Sequence, residues 1–170
     1  MASTMEILWQ AWEGFGAEHV EVGPNEATGT FIRVFRGAPI RVDYTVRWDD
    51  AWRTTYASVR CAGRTVTLDT LPDGCIDVDV MAATFTNTLP IRRLNLAIGA
   101  AHEIRAAFIV VPSLEVQPAR QRYTRLAENA YRYEGVATGF TADVTVDPDG
   151  VVIDYPTLSR RVMLPPPPEK

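Results

Sequence analysis

The feature that most constrains this chain is alternation, with apolar and polar residues changing places at every step through successive segments. From Arg41 to Arg47, Val42, Tyr44 and Val46 fall on one side, and Arg41, Asp43, Thr45 and Arg47 on the other. From Phe140 to Val146, Phe140, Ala142, Val144 and Val146 oppose Thr141, Asp143 and Thr145. A period of two is the signature of a β-strand whose successive side chains point to opposite faces. Strands patterned this way cover a core on one side only, as antiparallel sheets commonly do. Ala107 to Val111 is apolar at every position and reads as a central strand covered on both faces.

The turn residues agree with the alternation. Asp147-Pro148-Asp149-Gly150 separates two alternating runs, with proline preset for the second turn position and glycine free to take positive φ. Gly37 to Pro39, Ala62-Gly63, Pro72 to Gly74 and Ile98-Gly99 mark further reversals at short intervals. Short strands between regular turns predict a mainly β fold: a single curved antiparallel sheet forming a roll or open barrel, with little helix. No repeat, linker or charge block divides residues 1–163, so one β domain is expected there. Residues 164–170 form a proline-rich tail expected to be exposed polyproline II. The N-terminus reads two ways. Ser3 and Glu6 have capping-box spacing before a helical face of Ile7, Leu8, Ala11 and Trp12, yet the same residues suit an edge strand.

Composition excludes several functional classes. The 170 residues suffice for a sizeable core, and 46% hydrophobic against 22% charged is an ordinary globular balance. A formal charge of -4 argues against binding nucleic acid by phosphate neutralisation. Apart from Lys170 every cationic side chain is arginine, whose planar fork suits partly buried carboxylates or phosphates. Cys61 and Cys75 are not spaced like zinc ligands and read as small buried hydrophobes in a reducing compartment, although a disulfide between them is conceivable. His19 and His102 lie far apart. The first residues lack a secretory pattern, and no apolar run is long enough to cross a bilayer, so a cytoplasmic protein without stable membrane insertion is expected. No nucleophile elbow, Walker loop or dinucleotide fingerprint is present. No catalytic residue, metal site or cofactor is therefore assigned, which weighs against an enzyme without excluding one.

The densest polar stretch runs from Gly74 to Leu96, GCIDVDVMAATFTNTLPIRRLNL. On a strand, Asp77 and Asp79 share one face about 6.8 Å apart, while Ile76, Val78 and Val80 take the other. Two neighbouring carboxylates on one strand point roughly parallel, which suits a glycosidase pair poorly. The plainer reading is an ion-paired sheet face in which Arg92, Arg122 or Arg53 neutralises the aspartates. The functional reading is a site for a polyhydroxy ligand: carboxylates accept from hydroxyls, Asn87 donates and accepts, and arginine donates only. Thr86 adds a hydroxyl. Trp52, beside Trp48, and Tyr123, near Tyr131 and Tyr133, offer aromatic surface that could stack on a sugar ring, although core packing is the favoured account of Trp48 and the tyrosines and an equal one for Trp52.

At FTNTLPIRRL (Phe85 to Leu94) the sequence becomes specific. Together with CIDVDV before it, VPSLEVQPARQRYT and YRYE after it, EHVEV (Glu18 to Val22), VDYTVRWDDAWRT (Val42 to Thr54) and GFTADVTVDPDGVVIDYP (Gly139 to Pro156), this run closely resembles the putative glycolipid-binding family. That bacterial family was first described as a domain of unknown function, and the resemblance spans nearly the whole chain in order. It implies a cytoplasmic, mostly β protein with a curved sheet, similar in shape to carriers that shuttle lipidated proteins across the bacterial envelope, and it defines no catalytic residues. Two departures stand out. The chain passes from Leu68 to Gly74 by a short turn where relatives carry a glycine- and tryptophan-containing insert, and AATF stands where a Thr-Pro-Phe run is expected.

The expected function is non-catalytic binding of an amphiphile, a glycolipid by family resemblance. The apolar sheet face would cover the acyl part, and Trp52, Arg53, Asp77, Asp79, Thr86, Asn87, Arg92, Arg122 and Tyr123 would hold the head group. The alternatives are an enzyme acting on a sugar or lipid head group through an aspartate base, and a homo-oligomeric scaffold, such as a homodimer joined at a sheet edge or apolar face.

Overall fold

The computed structural model describes residues 4–163; the proline-rich segment 164–170 lies outside the described residues. Among the described residues thirteen strands form one sheet: β1 Met5–Ala11, β2 Gly16–Val22, β3 Glu26–Phe35, β4 Ala38–Trp48, β5 Thr54–Cys61, β6 Arg64–Leu68, β7 Asp77–Val80, β8 Ala101–Ile109, β9 Val116–Ala127, β10 Ala130–Gly135, β11 Thr141–Val146, β12 Val152–Tyr155 and β13 Ser159–Arg161. The helix α1, Thr88–Leu94, follows a single 3-10 turn at Phe85–Asn87 between β7 and β8. The order across the sheet is β6-β5-β4-β3-β2-β1-β13-β12-β11-β10-β9-β8-β7, and the sheet does not close into a barrel. The expected curved, mainly β architecture is what the chain adopts.

Two details differ from the sequence reading. The N-terminal segment is neither helix nor edge: β1 sits inside the sheet between β2 and β13. Its alternation puts Ile7 and Trp9 in the core, and Trp9 Nε1 donates to Val152 O at 2.9 Å. The sheet is also not wholly antiparallel, because β7 pairs with β8 in parallel. Parallel neighbours need a long crossover, and here residues 81–100, with α1 in their midst, provide it.

Turn chemistry fixes the register of the hairpins. Arg36-Gly37 and Ala62-Gly63 each take positive φ at both residues, the type I′ geometry whose twist matches the flanking strands. Gly29, opposite Tyr44 on β3 and β4, leaves room for the tyrosine ring; a Cβ there would collide with it. That close approach carries the Tyr44 hydroxyl to Glu18 Oε1 at 2.7 Å.

The curvature creates two apolar cores. The first holds Trp9, Val20, Phe31, Val42, Val46 and Val59 of β1–β5, closed by Val78 and Val80 of β7 and by Phe85 and Leu89. The second lies in the bowl of β8–β12, with Ile104, Tyr123, Tyr131, Val144 and Val152 capped by Ile91 of α1. Strand β7 serves both: its valines enter the first core, and its aspartates share the β8 face that carries Ala106 and Phe108. Two hydrogen bonds, Thr54 N to Ile76 O at 3.1 Å and Val78 N to Thr54 Oγ1 at 3.2 Å, tie β5 to the start of β7. The segment Ala107 to Val111 is not the doubly covered central strand expected: Ala107, Ile109 and Val111 are buried, Phe108 and Val110 on the other face are only partly covered, and β8 lies one strand in from the end of the sheet. Cys61 is buried and Cys75 partly exposed, and both thiols are free, so no disulfide links them and only Cys61 belongs to the core.

Candidate functional site

The site is built around the two aspartates of β7, which meet different fates. Asp77 is fully buried and receives both arms of Arg93, Nε at 3.0 Å and Nη2 at 2.5 Å. Burial pushes its carboxyl above the usual range, and Arg93 opposes the rise. The partner is therefore Arg93, not Arg92, Arg122 or Arg53, because successive residues on a helix diverge by about 100° and only Arg93 faces β7. A buried carboxylate held by a bidentate guanidinium is a closed pair with little left to offer a ligand.

Asp79 is different. Its oxygens accept from Gln121 Nε2 at 2.6 Å and from Thr86 Oγ1 at 3.4 Å, and no salt bridge reaches it among the described residues. Burial raises its pKa above the ordinary carboxylate value, and those two hydrogen bonds offset the rise only in part. Around it the pleat of β9 and β10 gathers phenols. Tyr123 and Tyr133 pack edge to face at 5.5 Å between centroids, and Tyr133 lies 6.4 Å from Tyr155. Burial and the Asp79 charge together push the Tyr123, Tyr133 and Tyr155 hydroxyls upward, so all three stay protonated donors. Tyr123 already donates to Asn87 Oδ1 at 3.0 Å, and Asn87 Nδ2 donates to Thr84 O at 3.0 Å. Thr86, Asn87 and Tyr123 thus form a buried bracket that seats the crossover against β9.

Gln121 and Tyr133 also line a groove of about 510 Å³ with Phe108, Pro118, Ala137 and Phe140, and Arg105 and Arg120 border it. Phe140 packs on Tyr133 at 6.1 Å and remains substantially exposed. This volume falls within the range of about 300–1,000 Å³ typical of small-molecule sites. Asp79 is not itself a lining residue; the groove reaches it only through Gln121, which lines the wall and donates to the carboxylate.

The other sequence candidates lie elsewhere. Trp52 and Arg92 meet in a second concavity, with the Arg92 guanidinium carbon 4.3 Å from the indole centroid. Arg53 is exposed, and the Asp49 amide donates to its carbonyl. Arg122 alternates away from Tyr123 to the opposite face of β9, where it lies 3.6 Å from Glu103. Gln121, Phe108 and Phe140 escaped the sequence reading as site residues, and Tyr133 was weighed there with Tyr123 but left to core packing. Gln121 was the most readable of them, because it stands two residues from Tyr123 on one strand and must share its face. Glu6, His19 and Glu21 bring ligand atoms within 4.8 Å of one another on an exposed surface, and only that proximity distinguishes them.

The fold and this groove define an open β-sheet protein with an apolar recess ending in polar groups. The chain belongs to the family described as "Putative glycolipid-binding", whose model matches residues 6–161. It is similar, at 37% identity, to a DUF1089 family protein from Pseudomonas aeruginosa known from a 1.80 Å crystal structure. The superposition has a TM-score of 0.78 and covers 88% of this chain and 94% of that one. No protein with curated annotation matches the chain. Among the described residues, no helix is long and apolar enough to cross a membrane.

Proposed function

We propose that the chain binds an amphiphile without transforming it, its acyl part in the groove between Phe108 and Phe140 and its hydroxylated head against Asp79, Gln121 and Tyr133. The observation that carries this reading is Asp79 itself, a desolvated carboxylate with hydrogen bonds from an amide and a hydroxyl but no salt bridge among the described residues, bonded to Gln121 of the groove wall. Hydroxyl groups of a sugar head supply the donors such an acceptor lacks. Burying a chain contributes about 0.8 kcal/mol per methylene, so eight carbons supply roughly 6 kcal/mol before the costs of ordering. The family description supports a glycolipid as the ligand.

Calorimetric titration with alkyl glucosides of increasing chain length tests the proposal. Affinity should rise with each methylene, fall about tenfold in Asp79→Ala, and be unchanged in Arg122→Ala on the opposite face. Equal affinity for the wild-type protein and Asp79→Ala, or no dependence on chain length, would overturn it.

A further inference from the structure

The concavity holding Trp52 and Arg92 is distinct from the groove. It measures about 620 Å³ and is assembled from four separate segments: the β4–β5 loop, the end of α1, the β9–β10 turn and the β11–β12 turn. Its planar groups are fixed in place. Asp49 Oδ1 accepts from the Ala51 and Arg53 amides, each at 2.9 Å, and the turn so formed holds Trp52 at φ 62, a left-handed conformation unfavourable for a bulky residue. In return the indole stacks on Trp48, 5.1 Å away and 10° from parallel. Arg92 lies on the indole and donates to Asp149 O at 2.7 Å. Arg125 is held by the carbonyls of Leu96 at 2.9 Å and Glu128 at 2.8 Å. Both guanidinium groups are thus preset largely by neutral carbonyls. Asn95, Glu128 and Asn129 complete the polar wall.

We infer that this concavity is a second binding site, which takes the ring of a neutral saccharide. Arg92 and Arg125 face Glu128 and Asp149, while Asp147 is committed to Arg161 at 2.7 Å. Cationic and acidic groups therefore mix around the wall, and neither an anion nor a cation meets a field of one sign. Hydroxyl groups both donate and accept, so they can use arginine, amide and carboxylate alike. The apolar edge of a sugar ring suits the indole border. A preset donor array also lowers the ordering cost that weakens binding of small polar ligands. The site does not depend on the acyl-binding groove.

Short saccharides without an acyl chain separate the two sites. Methyl hexosides, their N-acetylamino counterparts and unsubstituted disaccharides would be titrated against the whole protein, read by tryptophan emission and saturation-transfer NMR. At least one should saturate with a change in emission, and Glu128→Gln and Asn129→Ala, both at exposed turn positions, should each weaken it about tenfold. Asp79→Ala should bind it as the wild type does. If no saccharide in the panel saturates, or if both turn variants bind with wild-type affinity, the inference is wrong, whatever the alkyl glucosides do.

Discussion

Glu18 and Asp79, one carboxylate in each half of the molecule, are treated in opposite ways, the first fully buried and the second partly so. Glu18, fully buried in the β1–β5 core, accepts from Tyr44 Oη at 2.7 Å, Thr84 N at 2.6 Å and Phe85 N at 3.3 Å, and Arg33 lies 3.9 Å away. Arg33 itself is desolvated, its three guanidinium nitrogens buried without hydrogen-bond partners among the described residues, and Glu18, followed by Tyr44, opposes the resulting fall in its pKa. Glu18 thereby clamps the start of the crossover onto the first core. Asp79 accepts two side-chain hydrogen bonds, has no salt bridge among the described residues and bonds Gln121 in a groove wall. Where the interior meets a buried acid's needs, the acid is structural. Where it meets them only in part, the acid is the candidate for contact with a ligand.

That contrast can be broken by mutation, and the largest effect belongs to Glu18. Glu18→Leu leaves Arg33 buried without its counter-charge and two amides without an acceptor. It should lower unfolding free energy by about 3–5 kcal/mol in urea titrations; a loss below about 1 kcal/mol would mean the clamp is not structural. Arg93→Met strands the Asp77 carboxylate and should cost about 3 kcal/mol by the same assay, so that the closed pair at Asp77 groups with Glu18 and not with Asp79. Gly29→Ala probes the route by which Tyr44 reaches Glu18. The added methyl meets the tyrosine ring, and a loss of about 1–3 kcal/mol is expected.

Asp79 should behave in the opposite direction. Its proton is held more tightly in the folded chain than in the unfolded one, because burial raises its pKa. Its contribution to stability is therefore intact at low pH and is lost as pH rises through the folded-state value. Asp79→Asn keeps the hydrogen bond from Gln121 and removes the charge, so it should stabilise the protein at pH 7 by about 0.5–2 kcal/mol. The gain should vanish below the usual carboxylate range. A destabilised Asn variant at pH 7 would place Asp79 with the structural acids.

The sequence made the strands legible because alternation and turn chemistry are local. Arg36-Gly37, Ala62-Gly63 and Asp147 to Gly150 each announce a reversal within a few residues. The path of the crossover was not legible in the same way. Nothing local tells β7 to pair in parallel with β8, or shows that the face carrying Asp77 and Asp79 lies inside a second bowl. The choice of Arg93 over Arg92 depends on helical phase, which matters only once Thr88–Leu94 is known to be a helix. The sequence reading passed over Glu18 except within the EHVEV match, and its acceptor role depends on amides 66 and 67 residues away. Trp52 and Asp79 look like neighbours in a list of polar and aromatic residues, and the fold places them in separate recesses.

The account rests on the groove beside Asp79 being the amphiphile site. The most direct measurement is a crystal structure of the chain grown with a decyl glucoside. The account predicts the alkyl chain between Phe108 and Phe140, with a sugar hydroxyl within hydrogen-bond distance of Asp79 or Gln121. An empty groove with the detergent ordered elsewhere, or a tail in the groove whose sugar turns away from Asp79, would contradict it.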